Sequence, residues 1–262
     1  MAALGDTQVA GLSTTQVGGF TTTQLNALET TDLQALTTTQ VASLTTTQIK
    51  GLTGTQISDL TDTQVQSLTA TQITTLTTTQ IGQLSATDFG SFTATQFGGL
   101  TPTQIGSMTT AALQTLTETT LDGLTTTQIK GLTATQVGNL ADTQVQSLSE
   151  TQIAGLSATQ IKGLETTDLG LLTTTQFSLL STTQVAAFTT TQVKALADTQ
   201  VSGLSTTQLN GLTVTQLNAL ETTDLQALTT TQIAGLSTTA VKNLTSTQVT
   251  DLLDAQIGRA HV

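Results

Sequence analysis

Two apolar side chains recur in every eight residues, separated alternately by gaps of three and five, without one slip from Gly5 to Leu252. Numbered from one to eight, the unit is Thr-x-Thr-Gln-Φ-x-x-Leu, where Φ is apolar, as in "TTTQVASL" at Thr37 to Leu44, and it is present in 31 full copies. Position three is Thr in 30 copies, Ala111 being the departure, and position four is Gln in 24. Position five is always Val, Ile, Leu or Phe, and position eight is Leu except at Phe20, Phe92, Met108 and Phe188. A continuous α-helix does not fit this period. At about 100° per residue, the apolar pair rotates by about 80° per copy and faces no single partner. A helical chain must therefore break once per octad.

The punctuation places the break. Of 21 glycines, 18 fall at position six or seven, where a left-handed C-terminal cap suits a residue without Cβ. Position one is Ser or Thr in 25 copies, with Gln usually three residues later. That spacing is a capping box: the hydroxyl accepts from the amide of residue four, and the Gln side chain reaches back to the cap amide. Leu before the cap and Φ at position five take the two places of a hydrophobic staple.

Rarer residues agree. Pro102, the only proline, lies at position two, the first helical residue, where proline is favoured. Of 17 acids, 14 lie at positions one, two or four, while Lys50, Lys130, Lys162, Lys194 and Lys242 all lie at position six. Acids at the start and cations at the end complement a helix dipole. Gly5, Ala141 and Ala197 cannot cap through a side chain, and each is followed by Asp (Asp6, Asp142, Asp198), a carboxylate placed to take over the cap. Glu29, Glu165 and Glu221 at position one always accompany Asp32, Asp168 and Asp224 at position four.

One octad buries too little apolar surface to offset ordering its own backbone, so neighbours must stack. The leading expectation is an all-α solenoid, a superhelix of very short helices, one per octad, with positions five and eight as its core. A β-solenoid is the alternative: position five is Val or Ile in 20 copies, and stacked Gln would form a ladder. Against it, gaps of three and five leave little strand alternation within a unit. Two strict apolar slots per octad disfavour disorder. Longer repeats leave the number of octads per turn open: "LETTDLQALTTTQ" recurs after 24 octads and "LADTQV" after 7. All five lysines fall on alternate octads, a hint of a two-octad unit.

Composition narrows the function. With a net charge of -11 and six basic residues, the chain lacks the clusters that nucleic-acid contacts require. No apolar run is long enough to span a membrane, and without Cys there is no disulfide or thiolate site. His261 is the only imidazole, so a Ser-His-Asp or Cys-His nucleophile is not expected. The acid pairs Glu29/Asp32, Glu165/Asp168 and Glu221/Asp224 sit at cap spacing and read as variant helix starts before they read as calcium or glycosidase carboxylates. "FGSF" and "FGGL" within Phe89 to Leu100 lack a phosphate-loop Lys and read as tight turns between core residues. No catalytic residue, metal site or cofactor is expected.

The array is read as one domain over 1–256, opening in mid-octad with Met1 in a Φ slot. Ile257 to Val262, "IGRAHV", resembles the translation of a common short-read sequencing adapter and is expected to be a non-native tail, with the chain a piece of a longer metagenomic reading frame.

The units "LTTTQVASL", "LETTDLQAL" and "LTTTQIAGL" resemble repeat tracts of very large secreted bacterial surface proteins labelled haem-utilization or adhesion proteins. The resemblance implies a spacer or stalk outside a bacterial cell; haem binding has no support, since Met1 and Met108 are isolated and Tyr and Cys are absent. The expected partners are neighbouring repeats of the same longer chain, with end-to-end self-association open to uncapped ends. A second function is a surface for ice or polysaccharide on the Thr ladder exemplified by Thr39, Thr47, Thr55, Thr63, Thr71 and Thr79. A third is a peptide-binding solenoid groove.

Overall fold

A computed structural model describes residues 5–252, the side chain of Asp6 excepted. Met1 and the Ile257–Val262 tail, with His261, lie outside the described residues. Thirty helices of four to six residues follow in order, one per octad, from Asp6–Ala10 to Thr238–Lys242, and a further one covers 246–252. No strand occurs among the described residues. The fold is all-α, and the β-solenoid alternative is overturned.

Each helix starts as its cap chemistry dictates. Thr37 is extended (φ -69°, ψ 157°), and its side chain accepts from the Gln40 amide at 3.2 Å. The Gln40 side-chain oxygen accepts from the Thr37 amide at 2.6 Å, which completes the box. Pro102 opens the helix Pro102–Ser107. Lys50, Lys162, Lys194 and Lys242 lie in the last turns of their helices, and Lys130 at a C-cap.

The helix ends differ from expectation. No glycine or other residue among those described has positive φ, so the left-handed glycine caps do not form. The chain closes instead with a tightened turn, the position-eight amide donating to the position-five carbonyl, as Leu44 does to Val41 at 3.2 Å. Leu44 itself then turns extended (φ -57°, ψ 137°) and leads into the next cap. A Leu can do this without strain, so no left-handed residue is needed.

The glycines answer a different demand. A Cβ on Gly131 would strike the Pro102 carbonyl, and one on Gly163 the Ala134 carbonyl; both partners are on a neighbouring turn. Glycine there permits backbone to approach backbone. Gly18, Gly90, Gly98, Gly170 and Gly203 have open space instead, and nothing in the structure explains those choices.

By contact the chain divides into two compact units, Met1–Leu132 and Thr133–Val262. Within the first, helix α1 (Asp6–Ala10) packs on α4 (Thr30–Ala35), and α4 on α7 (Gly54–Asp59); within the second, α17 (Ala134–Val137) packs on α20 (Ala158–Gly163). Within each unit helices thus pack on the third one along, and no two-octad unit organises the stack. Positions five and eight form the core, with Ile49, Ile81, Ile105, Ile153 and Val193 fully buried and Leu68, Leu100 and Leu156 at 2–3% exposure. Where the sequence places bulkier residues, the rings meet: Phe89, Phe92 and Phe97 pack with centroids 5.2–6.4 Å apart, and Phe177 stacks on Phe188 at 5.8 Å. The "FGSF" and "FGGL" turns are therefore core-lining, as the sequence suggested.

Candidate functional site

Position four is the most chemically loaded place in the octad. From Gln40 onward its glutamines are buried, 2% exposed at Gln64, Gln80 and Gln200. Burying a primary amide is costly unless its donors and acceptor are all engaged. The cap amide fills the oxygen. The nitrogen donates across to the turn before: Gln40 Nε2 to Val9 O at 3.0 Å and Leu12 O at 2.7 Å, and Gln72 Nε2 to Val41 O at 3.0 Å and Leu44 O at 2.8 Å. In the second unit Gln184 reaches Ile153 and Leu156, and Gln232 reaches Val201 and Leu204.

Each of these acceptors lies at position five or eight of the octad four units earlier. With helices packing three units apart and glutamines reaching four, one superhelical turn takes between three and four octads. Local capping logic identified the oxygen's partner but missed the nitrogen's. A signal was present: position four is Gln in 24 copies and never Glu, although Glu serves a capping box equally well. Only an amide can also donate.

Gln8, Gln16 and Gln24 are exposed. They keep the capping half, Gln16 with Ser13 at 2.8 and 3.2 Å, but no octad among those described lies four units before them.

The acid pairs resolve into one buried and one exposed member. Glu29, Glu165 and Glu221 are exposed, whereas Asp32 is 7% exposed and Asp168 and Asp224 are 2%. The cap amide of Glu165 donates to Asp168 Oδ2 at 3.3 Å, and that of Glu221 to Asp224 Oδ2 at 2.9 Å. None of the three Glu N-caps makes a side-chain cap bond, so these octads keep at most the backward half of the box. Burial raises the Asp168 carboxyl from 3.8 to about 6, against the lowering effect of the Glu165 amide; Glu165 and Asp142 add repulsion. Asp224 is raised for the same leading reason, with Asp198 and Glu221 as the repelling charges. Ala141 and Ala197 likewise have no side-chain cap bond, and only the Gln144 and Gln200 oxygens hold those cap amides, at 3.0 and 3.1 Å. Asp142 and Asp198 do not take over the cap; they act on the first turn through charge alone.

Thr39, Thr47, Thr55, Thr63, Thr71 and Thr79 are all exposed, as is position three in every described octad. Open surface grooves between turns repeat this chemistry: one is lined by Lys50, Thr75, Thr77, Thr101 and Thr103, and another by Glu221, Thr222, Thr223, Thr245, Thr247 and Asp251. Among the described residues no group of three or more acids or imidazoles converges at metal-binding range, and no helix is long and apolar enough to cross a membrane.

No curated protein matches the chain. The model of the ALTTAQ repeat matches three stretches, residues 25–62, 161–198 and 217–253. Each begins at an apolar position five, takes in one "ETTD" octad, and runs through four full octads, slightly more than the span that one glutamine bridges. The chain is a repeat protein, similar over those three stretches to the ALTTAQ repeat.

Proposed function

We propose that the chain is a non-enzymatic spacer, a segment that sets distance within a larger bacterial surface protein. The observation that carries this reading is the fate of the buried polar groups. The interior glutamine amides are spent between a cap on one side and the preceding turn on the other. A repeat of this kind contributes length in fixed increments, which is what a spacer requires. Placement outside the cell rests on the resemblance of "LTTTQVASL" and its variants to secreted surface tracts.

Small-angle scattering on chains lengthened by four octads at a time tests it. A spacer gains the same increment of maximum dimension with each addition. Growth as the cube root of chain length would contradict it.

A second reading is favoured by the exposure of Thr39, Thr47, Thr55, Thr63, Thr71 and Thr79 and by the Thr-lined grooves: a hydroxyl surface for ice or polysaccharide. Thermal hysteresis at high protein concentration would support the ice version. Its absence, together with no retention on insoluble glycans, would remove this reading.

A further inference from the structure

One octad has its cap completed from another turn. Position four of the octad at Ser237 is Ala240, so the Ser237 hydroxyl still accepts from the Ala240 amide at 3.1 Å, but the octad has no glutamine oxygen for the Ser237 amide. Asn210 provides one. From the helix Thr206–Gly211 its Oδ1 accepts from the Ser237 amide at 2.7 Å, and its Nδ2 donates to the Gly235 carbonyl at 2.8 Å. A single side chain thus grips both sides of Leu236, 25 and 27 residues along the chain. The two turns are already close there, since a Cβ on Gly235 would strike the Thr206 side chain. The donor half follows a wider pattern: Gln34 reaches the Asp59 carbonyl at 2.8 Å and Thr74 the Gly99 carbonyl at 2.9 Å, at the same offset of 25. The acceptor half is matched to Ala240. The other octads with neither Gln nor Asp at position four begin at Thr109 and Thr117, and the places equivalent to Asn210 are Gly82 and Gly90, which have no side chain to offer.

Asn210 is exposed, and it is the only asparagine in the chain followed by glycine, Gly211. Without a Cβ, glycine lets its nitrogen swing onto the preceding side chain. We propose that Asn210 is a modification site whose deamidation unlatches this turn. The Gly211 nitrogen attacks Asn210 Cγ; a C–N bond forms, the bond to Nδ2 breaks, and the amine leaves as ammonia with the Gly211 amide proton. Water then opens the succinimide to aspartate or isoaspartate, so the sum is asparagine plus water to acid plus ammonia, with no oxidant or reductant. In the closed fold the side chain is held by Ser237 and Gly235, and ring closure waits for those two bonds to open. After conversion the latch does not reform as it was. The donor to Gly235 is gone, a carboxylate faces that carbonyl, and isoaspartate adds a methylene to the backbone of the helix. The proposal is independent of the spacer reading.

Peptide mapping by mass spectrometry tests it, on the folded 262-residue chain at mildly alkaline pH beside the same chain in urea. Asn210 should convert in both, on the order of tenfold more slowly when folded, while Asn26, Asn139, Asn218 and Asn243 stay intact over the same period. Equal rates in the two conditions would overturn the proposal, as would no conversion of the folded chain. A second arm reads the consequence. The converted chain, separated by ion exchange, should melt below the unconverted one. Ala240→Gln returns an oxygen to the Ser237 amide and should reduce that difference. Identical melting of the converted and unconverted chains, or a difference that Ala240→Gln leaves untouched, would refute the latch.

Discussion

At Gln72 the side-chain oxygen receives the Thr69 amide at 2.8 Å while the nitrogen of the same group donates to Val41 and Leu44. Glu in its place would keep the first bond and lose the second, leaving a buried charge against two carbonyls. Gln72→Glu is expected to cost about 3 kcal/mol in chemical denaturation, whereas Gln16→Glu, exposed and without a cross-turn bond, should stay within about 0.5 kcal/mol of the parent. Equal losses at the two positions would refute the division of labour. Asp168 supplies a pH signature. Its folded carboxyl is raised to about 6, so between about pH 6 and the ordinary unfolded value near 4 the folded state holds a proton that the unfolded state lacks. Stability should rise as pH falls through that window and then level off. Asp168→Asn, which still offers an oxygen to the Glu165 amide, should remove this slope and stabilise the protein at pH 7 by on the order of 1 kcal/mol, after allowance for solvent screening. An unchanged pH profile would contradict it.

Within an element of four to six residues nearly every position is a boundary, and this is why so much was legible from sequence. The Ser or Thr cap, the returning glutamine oxygen, proline at the first helical residue and lysine at the last turn are all satisfied inside one octad, so local rules suffice. The glycines were misread for the same reason. Local propensity pointed to left-handed caps at positions six and seven, yet the requirement at Gly131 and Gly163 comes from a carbonyl on another turn, invisible without the number of octads per turn. Two substitutions separate the causes. Gly163→Ala should destabilise by about 1–3 kcal/mol through collision with Ala134. Gly170→Ala, inside the helix Thr166–Leu171 with open space around it, should gain about 0.5–1 kcal/mol from helix propensity. Thermal unfolding of both variants checks the pair, and a matching sign in the two would sink the distinction.

At the scale of the whole molecule, register is what the sequence protects across 31 copies. Deleting one complete octad, Thr69 to Leu76, gives Gln80, Gln96 and Gln104 a neighbouring but chemically equivalent acceptor and leaves the later pairs intact, so the melting temperature should move by only a few degrees. Inserting one residue between Leu76 and Thr77 displaces the Gln80, Gln96 and Gln104 octads against the turn before and should cost more than the full deletion. The acceptor four octads back is the feature sequence reasoning could not place, because eight-residue periodicity fixes the step but not the turn. Hydrogen exchange of the glutamine side-chain amides, followed by NMR on selectively labelled protein in dilute solution, tests that feature most directly. Protected amides at Gln40, Gln48, Gln72 and Gln104, with Gln8, Gln16 and Gln24 exchanging as free side chains, is the predicted result; uniformly fast exchange at all seven would contradict it.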